Sequence, residues 1–509
     1  MVNAVTITYS NASLGTPSSS QDVISGLISY QNTLPSGFAT YGTIVPMLSI
    51  YDAVNAGITN THIGSVASTG STTVTATGST GAVISIQVKS SFYNSVTPLL
   101  LGTYTVISTD TLTTIATALV TNINAITYQT GFSAASSGAT ITVTAPLSYG
   151  AGVITFDNIV TGSANLSNLY TSFAGGQYSV IDELYYQINN YFIANPNGQL
   201  YTLVMSGTGA STNYAEVTNI QNFAGGNIRQ VAVFETRVNY STTNVNLLQT
   251  QATSLSNLNV PLEVFYAPNW TNYTSSQLSS LLDLTTLNAQ NVSVISGMDA
   301  LNLGGALFFA NNNTYTIPQL GLFLGNVSSV PVEQSVSWVG QNNMDINGEN
   351  DTLAFGNGTL LSNLPAATIN ALSNRGYVFL EKIPNVQGSY WTNPSTCVSV
   401  TSAYSSVNNN RVIHKASRGL YANLVPLLAS PLYTNADGTV TLNTILNFQN
   451  SANEFLAIML SNGEISNYST TINAKQNVVA NKSITLSCAI QPVGVANQIN
   501  INLGFAVTI

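Results

Sequence analysis

Two histidines, His62 and His414, and two cysteines, Cys397 and Cys488, are all the imidazole and thiol that 509 residues carry. None sits at the HxxxH or CxxC spacing that brings two ligands onto one helix face or loop, so no zinc or iron site is predicted. Two cysteines also cannot build a disulfide framework. The stretch Asn302-Leu303-Gly304-Gly305-Ala306 lacks the Lys-Ser/Thr that must follow the glycines of a phosphate loop, and no GxSxG elbow occurs. Carboxylates are the remaining route to chemistry. Asp345, Glu349 and Asp351 form the only local acidic cluster, set among the turn formers Asn347, Gly348 and Asn350. Such a segment can be a solvated turn, hold a calcium ion or line a glycosidase-like cleft; its spacing is not that of an EF-hand loop, and the turn is the favoured reading. The sequence therefore predicts no catalytic residue, no metal, no cofactor and no enzyme.

Composition points instead to surfaces that meet other surfaces. Charged residues make up only 6% of the chain, against about 25% in ordinary soluble domains, and Ser, Thr, Asn and Gly fill the polar positions. Few charges mean little repulsion between copies. The net charge of −9 is unevenly placed. Before residue 370, Lys89, Arg229 and Arg237 face fifteen acids, a balance of −12; after it seven cations face four acids, a balance of +3. The C-terminal part is thus a basic patch on an acidic protein, either a face for an acidic partner or chance clustering among few charges. An acidic balance without basic-aromatic interleaving argues against nucleic-acid binding. The opening residues Met1-Val2-Asn3-Ala4 lack a basic segment leading into an apolar one, and no run of about 18 apolar residues occurs. The expectation is a soluble chain with no recognisable export signal and no direct membrane insertion.

The elements follow from periodicity. Val5, Ile7 and Tyr9 alternate with threonines, and a polar leader containing Pro17 follows them. Residues 63–175 turn to Thr, Ser, Gly and Ala, with strands at 82–88, 100–107 and 139–145; between them Leu112, Ile115, Ala116, Leu119 and Ile123 recur at helical spacing. This reads as a small β-rich (β-α-β) insertion into a domain that resumes near 178. There, helices at 180–194, 245–258 and 277–289 alternate with apolar strands at 200–205, 229–234, 262–267 and 292–295. Apolar strands separated by helices imply a sheet covered on both faces. A helix over 409–428 carries Arg411, Lys415 and Arg418 at i, i+4 and i+7, with Ile413, Leu420, Leu424 and Leu427 on its apolar side. Ile484, Leu486, Cys488 and Ile490 alternate near the end, and so do Ile499, Ile501, Leu503, Phe505, Val507 and Ile509. Ends normally fray. A terminus that keeps strand patterning is paired within its own domain or on the sheet edge of another copy, and head-to-tail exchange of that kind builds rings or filaments.

Five stretches, in this order, resemble the tail sheath proteins of contractile phages and related injection systems: 48–58 around Tyr51-Asp52-Ala53, 185–201 through Asn195-Pro196-Asn197-Gly198, Asn227-Ile228-Arg229-Gln230-Val231, 408–416, and the ending through Pro492-Val493-Gly494. The resemblance covers residues 1–60 and 178–509. It implies an α/β and α+β multidomain chain. Its parts would be an N-terminal arm (1–20), an α/β sheath core domain (21–62 and 176–370), the outward insertion (63–175), and a C-terminal α+β domain (371–509) facing the tube and ending in a strand or arm. It further implies hexameric rings stacked helically around a tail tube protein, with baseplate and tail terminator proteins as partners, in a virion tail assembled in the host cytoplasm. Family position joined to charge makes Arg411, Lys415 and Arg418 tube-facing candidates; salt bridges within or between subunits are the competing reading. Val5, Ile7, Tyr9, Leu503, Phe505, Val507 and Ile509 are candidates for strand exchange between subunits. The alternative is a self-assembling surface-layer or adhesin-like protein. A polysaccharide-degrading tail enzyme using Trp270, Trp338 and Trp391 as a sugar platform is a third, though such residues are more often core or interface.

Overall fold

The computed structural model describes residues 21–90, 92, 97–346 and 348–497. The arm candidates Val5, Ile7, Tyr9, Leu503, Phe505, Val507 and Ile509 lie outside them. The first strand, β1 (Ile24–Tyr30), is buried along almost its whole length, because it forms the middle of a sheet covered on both faces. β2 (Ile44–Met47) follows at the sheet's edge. It leads into α1 (Ile50–Asn55), where the Asp52 carboxylate accepts from the N–H groups of Leu48 (2.8 Å) and Ser49 (3.0 Å) and so caps the first turn.

The chain then leaves this sheet for a separate body. β3 (Thr69–Ala76), β4 (Val83–Ser90) and β5 (Leu99–Thr105) precede α2 (Leu112–Ala125) and the single turn α3 (Thr127–Thr130). β6 (Ser133–Ser137), β7 (Thr140–Thr144), β8 (Ile154–Phe156), β9 (Ile159–Val160) and β10 (Asn165–Leu166) complete it. One sheet runs β10-β3-β7-β6 and a second runs β5-β4-β8, with β9 also on β4. β4 shows strict alternation, its Ile84, Ile86 and Val88 fully buried. The spaced Ile115, Ala116, Leu119 and Ile123 of α2 are buried too, in a core distinct from that of the main sheet. Helix α2 follows β4 and β5 and precedes β7, and five further strands, β3, β6, β8, β9 and β10, are not announced by the Thr and Ser alternation.

The entry and exit of this body are bonded to each other: Val66 and Gln177 exchange backbone hydrogen bonds of 2.8 and 2.9 Å. The main sheet resumes through α4 (Val180–Ala194), β11 (Gln199–Met205), α5 (Ala215–Phe223), β12 (Gln230–Asn239), α6 (Thr242–Asn257), β13 (Glu263–Asn269) and β14 (Val292–Ile295). The helix expected over 277–289 is replaced by two 3₁₀ turns, Ser275–Ser280 and Leu284–Thr286. Local side chains take the backbone's bonds there: Ser280 Oγ donates to Gln277 O, and Asp283 accepts from Thr285 N. β15 (Gly297–Asp299), α7 (Leu303–Ala310), α8 (Leu320–Ser329), β16 (Leu353–Phe355), α9 (Ala366–Asn374), β17 (Tyr377–Val378), β18 (Leu380–Glu381) and β19 (Tyr390–Trp391) finish this part.

The seven strands order as β17-β14-β13-β12-β1-β11-β2, all parallel except β2. This is a doubly wound sheet whose order turns back between β1 and β12. Helix α8 presses onto α4 through its glycines: a Cβ on Gly321 would lie 1.9 Å from the Gln187 carbonyl oxygen. The chain closes with α10 (Val407–Leu424), α11 (Leu442–Ser461), β20 (Ile465–Ile472), the turn α12 (Val478–Asn481) and β21 (Leu486–Pro492). β20 and β21 form an antiparallel two-stranded sheet.

Candidate functional site

A doubly wound sheet ordinarily binds its ligand beyond the carboxyl ends of the strands, where the order turns back. Here that crevice is filled by protein. Tyr30 at the end of β1 donates to Glu216 (2.9 Å), and Tyr214 and Tyr266 donate to Glu235 on β12, which also accepts from Gly209 N at 2.6 Å. Both carboxylates are buried, and burial pushes Glu235 up. Phosphate groups need positive charge at such a place. Two buried acids sealed by tyrosines are the opposite arrangement, and the crevice is a packed core.

The C-terminal unit is where sequence and geometry converge. α10 has two faces. The polar one lies on the main sheet's body. Arg411 is buried and donates to the carbonyls of Pro331 (3.2 Å) and Val330 (3.1 Å). Lys415 donates to Asp22 (3.0 Å) and Glu464 (2.7 Å). Arg418 donates to Pro261 O (3.4 Å) and stands 3.6 Å from Asp22. Burial alone would raise Asp22; Lys415 first, then Arg411 and Arg418, hold it below its ordinary value. Arg418 is brought down to about 9 by burial and by Arg229, Asp22 opposing. The three tube-facing candidates thus contact Asp22, Glu464 and backbone carbonyls of the same chain.

One turn along the same face lies a buried neutral pair. Asn291 is oriented by Gln249, whose Nε2 donates to Asn291 Oδ1 at 2.9 Å, so the Asn291 Nδ2 donates to His414 Nε2 at 3.0 Å. That leaves the other imidazole nitrogen, Nδ1, carrying the proton 3.2 Å from Glu263 Oε1. Burial drives His414 down to about 3 and Glu263 up to about 8. The sequence signalled none of these acid partners. Asp22 is a lone acid before the first strand and Glu263 a lone acid inside an apolar one; a charged residue in a strand buried on both faces was the available clue to Glu263.

On its apolar side α10 packs Val412 and Ala416 against Leu456 and Met459 of α11, and a groove runs beside this core. Ile413, Leu420, Leu424 and Val425 line a groove of about 510 Å³ with Cys488 and Ile490 of β21. Within β21, Leu486, Cys488 and Ile490 are half-buried and alternate with exposed residues, as their spacing predicts. Neither β20 nor β21 has a second strand neighbour among the described residues. Nearby Leu428, Tyr433 and Leu442 are each more than two thirds exposed. The partner strand β20, with its Ser-Thr-Thr run, was not read from the sequence.

Two family models match in chain order: DUF2586, N-terminal domain, over residues 158–395, and DUF2586, C-terminal domain, over residues 404–509. The break between them falls just before α10. No curated protein matches the chain. Among solved structures it is similar to a chain of an extracellular contractile injection system, the PVC sheath complex in its contracted state, at 13% identity and a TM-score of 0.42, over 64% of this chain and 81% of that one. It is similar to a chain of the anti-feeding prophage baseplate at 11% identity and a TM-score of 0.42, over 64% and 80%. A third is the sheath tail protein Lin1278 from Listeria innocua, at 13% identity and a TM-score of 0.40, over 92% of both chains. Likenesses at these identities and TM-scores carry neither function nor assembly across to this protein.

Proposed function

We propose that this chain is the sheath subunit of a contractile tail or injection system, a structural protein and not an enzyme. Its copies stack as hexameric rings around a tail tube, between baseplate and tail terminator proteins, and shorten from a metastable extended lattice to a contracted one. The observation that carries this reading is the open β20–β21 sheet. Two strands alone are marginally stable, and both edges of this pair are free among the described residues, beside an apolar groove. The sequence carries strand-like alternation at both ends, Val5-Ile7-Tyr9 and Leu503-Phe505-Val507-Ile509. Delivered from neighbouring copies, they complete the sheet by strand addition, and head-to-tail exchange propagates as rings or helices.

Such a lattice contracts through rigid blocks tied by strands that do not detach. The polar face of α10 makes the C-terminal unit and the main sheet one block, and each interface need change by only roughly a few kcal/mol for many copies to act in series. With Arg411, Lys415 and Arg418 engaged internally, we assign the contact with a tube or a neighbouring ring to the apolar set Leu428, Tyr433 and Leu442. Negative-stain microscopy of the purified protein is the test. Hollow tubes of stacked rings are expected from the full chain, and folded single subunits from a chain lacking residues 1–20. Flat lattices would instead fit a surface layer, and normal tubes from the shortened chain would remove the exchanged N-terminal arm.

A further inference from the structure

Asp299 ends β15 with no exposed surface. Its Oδ1 accepts a long bond from Leu301 N (3.4 Å), the Asn302 N–H also faces the carboxylate, and its Oδ2 is buried without a hydrogen-bond partner. The Glu349 carboxylate, on the segment between α8 and β16, comes against it; burial, and then that facing charge, push Asp299 up to about 7. A third oxygen points at the same place. Tyr186 of α4 is 1% exposed, its hydroxyl has no hydrogen-bond partner, and it feels both carboxylates, Asp299 and Glu349. The space exists because α7 carries glycine at 304: a Cβ there would stand 3.0 Å from the Tyr186 hydroxyl and 2.9 Å from the Asp299 carbonyl oxygen.

The segment bearing Glu349 is held firmly on either side. Gly348 O accepts from Asn302 Nδ2 at 2.6 Å, Asn350 Oδ1 from Gln319 Nε2 at 2.7 Å, and Asn350 O from Ser389 Oγ at 2.6 Å. The nearest lysine is committed to the other two acids of the cluster: Lys382 lies 2.5 Å from Asp351 and 3.8 Å from Asp345. The buried Asp299 carboxylate and the half-buried Glu349 carboxylate therefore meet with no lysine or arginine between them among the described residues. A proton shared by the pair or a metal ion would relieve their repulsion. A shared proton answers one oxygen-to-oxygen contact; a metal also answers the unpartnered Asp299 Oδ2 and Tyr186 hydroxyl. The donors are all hard oxygens without nitrogen or sulfur, a set that suits calcium.

We propose that Asp299 and Glu349, with the Tyr186 hydroxyl beside them, form a binding site for a divalent cation, calcium by its donor type. Among the described residues no three His, Cys, Asp or Glu side chains gather at one point, so neutral oxygens and water complete the coordination. Two charges place the affinity in the weak range of calcium modules, about 10⁻⁴–10⁻³ M. The site is independent of the sheath reading, since it lies within one subunit.

The experiment is calorimetric titration of the full chain with calcium chloride, joined to thermal unfolding in calcium or in EGTA. One site per chain is expected, with a Tm about 1–2 °C higher in calcium, both effects being lost in Asp299→Asn and weakened at least tenfold in Glu349→Gln. Glu349 is only half-buried, so the second variant remains informative if the first does not fold. Asp345→Asn, at the carboxylate near Lys382, leaves binding unchanged. Absence of a calcium effect in the native chain overturns the proposal, and a higher Tm for Asp299→Asn at pH 8 would then identify the shared proton. Calcium binding that survives in both variants overturns it as well, by locating the ion elsewhere.

Discussion

Asp22 and Lys415 meet across 393 residues of chain, and this distance explains what the sequence could and could not say about the basic helix. The i, i+4, i+7 spacing of Arg411, Lys415 and Arg418 does put them on one face; spacing cannot say whether that face meets solvent, a partner or the rest of the same chain. Asp22→Asn keeps the shape and removes the charge. A loss of about 1–3 kcal/mol is expected in chemical unfolding, below the roughly 3–5 kcal/mol of a fully broken buried pair because Lys415 retains Glu464. The sign with pH is fixed by the lowered Asp22 value: its contribution is present above 3.8, the ordinary aspartate value, and disappears as pH falls through the lower folded one. Asp22→Asn should therefore differ from the native chain at pH 6 and converge on it in strong acid. Glu263 behaves oppositely. Moved from 4.5 to about 8, it holds its proton in the fold, so its contribution fades as pH rises across that window. His414, moved from 6.5 to about 3, offsets it below 6.5. Between pH 6.5 and 8 His414 no longer offsets it, and Glu263→Gln is expected to remove a decline of up to about 2 kcal/mol there, measured as the difference between the variant's and the native chain's unfolding midpoints at the two pH values.

The elements with a complete period were legible, and those whose side chains compete with the backbone were not. α4 runs over the expected residues because its apolar positions repeat and Ser179 caps it, accepting from Asp182 N at 3.3 Å. Residues 277–289 have comparable apolar spacing, yet their serines, threonines and Asp283 bond locally and divide the segment into turns. Close approach between helices is a second property that spacing hides. Gly321 and Gly325 fall one turn apart on α8; a Cβ on the second would stand 2.5 Å from the Tyr191 carbonyl oxygen. Backbone atoms, unlike side-chain ends, cannot swing aside. Gly321→Ala should push α8 from α4 and lower stability by about 1–3 kcal/mol, as overpacked cores do, whereas the exposed Gly463→Ala meets no neighbour within 4 Å and strains only its own positive φ. Urea midpoints of the two variants, compared in one buffer, separate packing from backbone strain.

At the scale of the whole molecule, the insertion and the main sheet divide the work of folding between separate cores. A change of composition near residue 63 is what suggested an insertion in the sequence, and the C-terminal edge sheet was only half legible because one of its two strands is patterned and the other is Ser- and Thr-rich. The insertion starts and ends at one place, since Val66 and Gln177 are bonded to each other. Its main apolar tie to the rest is Phe309 of α7, which stacks on Phe92 at 5.4 Å and meets the Tyr149 ring edge-on at 5.8 Å. Removing residues 67–176 and joining the ends by a short Gly-Ser link therefore demands no rerouting of the main sheet. It does uncover Phe309, and an exposed aromatic would promote association unrelated to assembly; the deletion should accordingly carry Phe309→Ser. The expected product is a folded chain with native-like far-ultraviolet dichroism for its remaining elements and a cooperative unfolding transition. Under the proposed function it still forms tubes, thinner in projection, because neither the β20–β21 sheet nor the strand-patterned ends belong to the removed part. A folded deletion chain that stays monomeric would place an essential subunit contact on the insertion and shift the assembly surface away from the C-terminal unit.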